Sequence, residues 1–170
     1  MTSIEQQIQE ITKDGKGTFV NFQNTEEFTG LDADTRDFLK VYGVYNDEYA
    51  MPPIITDGRL RVHNNELIMF AEDDVNQKYC IKTSTNEVVL LDVNNRAHII
   101  NTSIRKLVES QYTLALYLDT IEAREVFGAY QENHVKYAAK LKSMLELVEP
   151  QIMNLAIWST QIEERENGVI

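Results

Sequence analysis

The spacing of apolar positions changes period twice along the chain. Ile4, Ile8 and Ile11 recur at helical spacing behind Thr2 or Ser3, which predicts a capped first helix ended by Gly15 and Gly17. Thr18-Phe19-Val20-Asn21-Phe22 then predicts a short strand of β-branched and aromatic residues. Asn24 or Thr25 opens a brief helix through Phe28, and Asp32 or Asp34 opens another through Phe38-Leu39. Tyr42-Gly43-Val44-Tyr45 closes that region, and Met51-Pro52-Pro53 forces an extended entry into the next segment.

From Ile54 the period shortens. Ile54-Ile55 precede an Asp57-Gly58 turn, and Leu67-Ile68-Met69-Phe70 runs into the acidic turn Ala71-Glu72-Asp73-Asp74-Val75-Asn76. Lys78-Tyr79-Cys80-Ile81-Lys82, Glu87-Val88-Val89-Leu90-Leu91-Asp92 and Ala97-His98-Ile99-Ile100 come next, separated by polar turns. Helical period returns at Asn101-Thr102-Ser103, where a side-chain oxygen is placed to cap a helix with Ile104, Leu107, Val108, Leu114, Ala115, Leu118 and Ile121 on one stripe. Gly128 marks a break. A second helix carries Val135, Ala138, Ala139, Leu141, Leu145 and Val148, and Pro150 begins a last one with Ile152, Leu155, Trp158 and Ile162. The element order predicts an α+β fold. An antiparallel strand meander, about residues 54–101, packs against N-terminal and C-terminal helices within a single domain spanning 1–170.

Composition changes this picture in one respect, charge. The 170 residues carry a net charge of −11, and residues 1–50 hold ten acids against four bases. Clustered Lys and Arg are what phosphate backbones and anionic lipids require, so neither nucleic acid nor a membrane surface is an expected partner. A basic protein is, because the opposing fields assist encounter. The longest apolar runs are too short for a bilayer, the first residues lack a secretory h-region, and one cysteine excludes an internal disulfide; the expectation is a reduced, cytoplasmic protein.

Catalytic and metal signatures are absent. His63, His98 and His134 have no second ligand at metal-binding spacing, and Glu72-Asp73-Asp74 lacks the central glycine of a calcium loop. Gly15-Lys16-Gly17-Thr18 follows a helix and precedes a strand, the reverse of a phosphate loop. Ser84, Ser103 and Ser110 stand outside any nucleophile elbow. No cofactor is expected, and the oligomeric state is left open.

The strand block and the chain's tail resemble the SUKH superfamily, and within it the type-4 toxin-immunity subfamily. The residues that carry the resemblance are Leu67–Phe70, the Asp73-Asp74 turn, Tyr79-Cys80-Ile81, Glu87–Asp92 and Ile99-Ile100-Asn101-Thr102-Ser103-Ile104. Further on, Val148-Glu149-Pro150, Trp158 and Ile162–Gly168 match an acid-Pro step, a tryptophan and an acidic helix ending in glycine. Thr102 departs from the expected serine, the strand before the acidic turn has no glycine, and Asn86 stands where a turn glycine is usual. The resemblance implies an α+β domain that binds proteins and does no catalysis, typically an immunity protein neutralising a nuclease or deaminase toxin.

On that reading the partner is a basic toxin domain, and acidic groups with aromatic anchors meet it. The candidate contact residues are Asp32, Asp34, Asp37, Tyr45, Asp47, Glu48, Tyr49, Glu72, Asp73 and Asp74, with Glu26 and Glu27 nearby. A regulatory or virus- or phage-encoded host-interaction module of the same fold is the alternative. An enzyme with an acidic site is a third.

Overall fold

The computed structural model describes residues 3–12, 17–47, 51–122 and 129–169, with the side chains of 119–132 left aside. Gly15 and Gly128, which the sequence marks as breaks, lie outside these residues. Helix α1 (Ile4–Thr12) starts at a reciprocal cap: the Gln6 N–H donates to Ser3 Oγ at 3.3 Å and the Ser3 N–H donates to Gln6 Oε1 at 3.0 Å. Strand β1 (Thr18–Val20) pairs antiparallel with β2 (Val44–Asn46). Between them lie a single 3-10 turn (Thr25–Glu27) and helix α2 (Ala33–Val41). The turn from α2 into β2 requires Gly43: its φ is +76°, and an added Cβ would sit 2.1 Å from the Val20 carbonyl oxygen. That close passage is what makes Val44-Tyr45 a strand partner of β1, where the sequence suggested only a closing loop.

The main sheet is an antiparallel meander of five strands in chain order: β3 (Arg61–Val62), β4 (Leu67–Glu72), β5 (Lys78–Lys82), β6 (Val88–Leu91) and β7 (Ala97–Asn101). The fold class is therefore α+β as the pattern predicts, with the meander proper beginning at Arg61 rather than at Ile54. Ile54 and Ile55 have a different task. Ile54 exchanges backbone hydrogen bonds with Asp47, and Ile55 does so with Glu72, so two residues stitch the small sheet to β4.

Three hairpin turns carry an asparagine in the left-handed region, Asn76, Asn86 and Asn95 at φ 65°, 58° and 57°. Two of them are built alike. Asp73 Oδ1 accepts the N–H groups of Val75 and Gln77 at 3.0 and 2.8 Å, and Asp92 Oδ1 accepts those of Asn94 and Arg96 at 2.8 and 2.9 Å. Each turn is thus an aspartate bonding two and four residues ahead, with asparagine supplying the positive φ.

One cluster of buried apolar residues runs from Ile4 to Ile162 and includes Phe70, Tyr79, Ile81, Val88 and Ile100 from the sheet. The sheet's other face forms a small separate cluster of Cys80, Val89 and Leu91 with Leu67 and Met69. Helix α3 (Ile104–Glu122) touches α1, α2, α4 (Ala129–Val148), β2 and β7. Enclosed from several directions, it buries Ser110, Gln111 and Thr113 as well as Ile104, Leu107, Val108 and Leu114 of its apolar stripe, while Ala115 is half-buried and Leu118 exposed. Each of the three polar residues has a partner: Asn101 Nδ2 donates to Ser110 Oγ at 3.3 Å, Gln111 Nε2 to the Pro52 carbonyl at 3.2 Å, and Thr113 Oγ1 to the Glu109 carbonyl at 2.8 Å. On α4, Ala138, Leu141 and Leu145 are buried, while Val135 and Ala139, assigned by periodicity to the same apolar side, are exposed. After a second 3-10 turn (Ile152–Asn154), α5 (Ala156–Glu166) packs on α4 and β7.

Candidate protein-binding groove

The N-terminal ends of α2 and α3 converge on the β5–β6 turn, and the space between them is a groove of about 480 Å3. One wall is the first turns of α2, presenting Asp32, Asp34, Thr35, Asp37 and Phe38. The second is the turn residues Thr85 and Asn86; the third is Thr102, Ser103, Ile104 and Arg105.

Local chemistry fixes each wall. Asp32 caps α2, its carboxylate accepting the Thr35 N–H at 2.7 Å, while its own N–H donates to Asn86 Oδ1 at 3.2 Å. Asn86 accordingly does two jobs: it adopts the positive φ that the turn demands and it ties that turn to α2. A glycine there would supply only the first. Ser103 caps α3 by accepting the Lys106 N–H at 3.2 Å.

Behind the third wall sits a buried polar clasp. Glu149, 2% exposed, accepts Asn101 Nδ2 at 2.7 Å and the Thr102 N–H at 2.9 Å. Trp158 Nε1 donates to the Ile100 carbonyl at 3.0 Å and to Asn101 Oδ1 at 3.1 Å. Asn101, Glu149 and Trp158 are among the residues that carry the SUKH resemblance, and here they lock the β7–α3 junction rather than face a ligand.

The groove's charge is mostly negative. Asp32, Asp34 and Asp37 are exposed. The one base in its lining is Arg105, whose guanidinium carbon lies 5.0 Å above the Phe38 ring centre. Lys40 is drawn to Glu26 at 2.9 Å and Lys106 to Glu109 at 3.0 Å. At the rim, Tyr42 donates its hydroxyl to Glu5 Oε1 at 2.7 Å. That bond holds the Glu5 carboxyl below its ordinary range, helped by the field of Arg105, and raises the Tyr42 phenol above its own.

The ten candidate residues thus fall into separate places. Asp32, Asp34 and Asp37 come together in the groove. Glu72 ends β4 and Asp73 and Asp74 open the β4–β5 turn, at the other end of β5 and about 17 Å away along a five-residue strand. There Glu72 and Asp74 are exposed, but Asp73 is buried and its Oδ2 accepts Gln77 Nε2 at 2.8 Å in addition to the two backbone bonds. Tyr45 is 5% exposed, packed on Phe19 with its hydroxyl donating to Asp47 Oδ2 at 3.1 Å, so it is a core residue rather than a surface anchor. Glu48 and Tyr49 lie outside the described residues.

Comparison with family models, with curated proteins and with solved structures returns no match. The chemistry of the groove therefore stands on its own residues. Its lining contains neither histidine nor cysteine, and among the described residues no group of His, Cys, Asp and Glu is arranged to hold a metal ion. Among those residues, too, no helix is long and apolar enough to cross a membrane. Phe38, Arg105 and the hydroxyl wall went unremarked as site residues in the sequence; only Ser103, as a helix cap, carried a signal.

Proposed function

We propose that this chain is a non-catalytic protein-binding domain that neutralises a basic partner by covering its working surface, in the manner of a cytoplasmic immunity protein. The observation that carries the reading is the groove: three exposed aspartates at the start of one short helix line one wall of a cleft. An acidic rim is the arrangement that steers a basic surface in. The net charge of −11 and the SUKH resemblance support the same reading. A nuclease or deaminase toxin fits as partner because such enzymes present basic substrate-binding surfaces.

The test is recovery of the tagged protein from its native host at low and moderate salt, followed by identification of what co-elutes. A basic nuclease or deaminase domain in near-equal amount, lost as salt rises, is the expected result. A stable partner of another kind would overturn the immunity reading in favour of a regulatory or host-interaction module.

A further inference from the structure

We propose that Asn167 is a site of spontaneous deamidation and that the cap of α5 sets its rate. Asn167-Gly168 is the one Asn-Gly step in the sequence, and both residues are exposed. Glycine matters because it has no Cβ to keep its own nitrogen from the asparagine side chain. Water is the only co-reactant. The Gly168 nitrogen gives up its proton and attacks Asn167 Cγ; the Cγ–Nδ2 bond breaks, ammonia leaves and a five-membered imide closes. Water then opens the ring at either carbonyl, giving aspartate or, with the backbone rerouted through Cγ, isoaspartate.

The fold keeps the groups of this step occupied. Helix α5 ends in a Schellman cap: the Val169 N–H donates to the Glu164 carbonyl at 2.8 Å and the Gly168 N–H to the Arg165 carbonyl at 3.1 Å, with Gly168 at φ +67°. The nucleophile is therefore engaged. So is the leaving group, since Asn167 Nδ2 donates to the Glu163 carbonyl at 2.8 Å. Asn167 sits at φ −91° and ψ 0°, and bringing the Gly168 nitrogen onto Cγ turns that peptide out of the cap. Reaction thus waits on fraying of the last turn. The product does not restore what opened. Aspartate has no donor for the Glu163 carbonyl, and it sets a carboxylate at the negative end of the helix beside Glu163, Glu164 and Glu166. Isoaspartate adds an atom to the backbone and moves the Gly168 N–H off its acceptor. Deamidation here is a one-way loosening of α5.

The experiment incubates the full chain at mildly alkaline pH, folded and in urea, and follows amide-to-acid conversion in the peptide holding Asn167 by mass spectrometry. In urea Asn167 should convert faster than any other asparagine of the chain. Folded, it should convert about tenfold more slowly or less, the ratio reporting how seldom the last turn opens. Equal rates in the two states would overturn control by the cap, and an unfolded chain that keeps Asn167 intact would overturn the site. Asn167→Asp, the product made directly, should unfold at a urea midpoint about 0.2–0.5 M below that of the unaltered chain. An unmoved midpoint would overturn the one-way loosening.

Discussion

Replacing Asp73 removes an acceptor from the β4–β5 turn, not an acid from a contact surface. The side chain is 5% exposed, and its two oxygens take three hydrogen bonds, from the N–H groups of Val75 and Gln77 and from Gln77 Nε2, at 2.8–3.0 Å. Asp73→Ala deletes all three. The turn beyond it is open, with Val75 and Asn76 exposed, so water can reach part of what is left unpaired. Roughly 1 kcal/mol per bond is then the appropriate scale, a loss of about 2–3 kcal/mol. Asp73→Asn keeps Oδ1 for the two backbone donors and sets an amide against the Gln77 amide, which can turn over; its cost is about 0.5–1 kcal/mol. With a urea slope of about 2 kcal/mol/M for a chain of this size, alanine should lower the midpoint by about 1 M and asparagine by less than half of that. Affinity for the partner, measured well below the transition, should be unchanged in both. A tenfold loss of affinity in Asp73→Ala with an unmoved midpoint would refute the assignment and make this turn a contact site.

Glu149→Ala strips the acceptors from Asn101 Nδ2 and the Thr102 N–H in a buried setting, and should cost about 3 kcal/mol or more in urea unfolding, whereas Glu149→Gln retains one acceptor and should cost clearly less. At position 86, alanine suffers both the positive φ and the lost bond to the Asp32 N–H, while glycine suffers only the second; alanine should be the less stable by about 1 kcal/mol in the same assay. The carboxyls of Glu5, Glu26, Asp57 and Asp92 are held below their ordinary values, chiefly by the Tyr42 hydroxyl, the Lys40 ammonium, the Arg61 guanidinium and the Arg96 N–H respectively. Depressed values contribute stability in full above the ordinary 3.8 and 4.5 and lose it as pH falls through the lowered ones. The urea midpoint should therefore hold from neutral pH to about pH 5 and drop by about pH 3, with a smaller drop in Asp57→Asn/Asp92→Asn.

Much of the strand block was legible because its turns announce themselves. Asparagine at positive φ and aspartate at the head of a turn follow from side-chain size and hydrogen bonding, so the hairpins after β4, β5 and β6 sit where the polar clusters stand. The same chemistry misled on function. Asp73 and Asp92 are turn-heads of one design, yet only Asp73 stood in a run of acids, and a run of acids reads as surface until the bonds inside it are seen. The buried clasp was invisible for a different reason. Asn101, Glu149 and Trp158 are brought together over 48 and 57 positions of chain, and no local period encodes such a meeting. Helix α3 shows a third limit: periodicity assumes that polar positions face water, and a helix enclosed from several directions buries Ser110, Gln111 and Thr113 while Leu118 is exposed. The groove was half legible, since α2's acids and its Asp32 cap could be read in place, while Asn86 reaches the Asp32 N–H across 54 positions and Arg105 comes to lie over Phe38 from another helix.

Binding of the co-purified partner to Asp34→Lys/Asp37→Lys, compared with Glu163→Lys/Glu166→Lys on the exposed side of α5, separates a specific groove from a general acidic field. Both pairs change the net charge equally. If α2 and its groove are the contact surface, the first pair should weaken binding about a hundredfold or more, close to tenfold per reversed contact, and the second only a few-fold. Equal losses from the two pairs, or a larger loss from the α5 pair, would contradict the groove as the site.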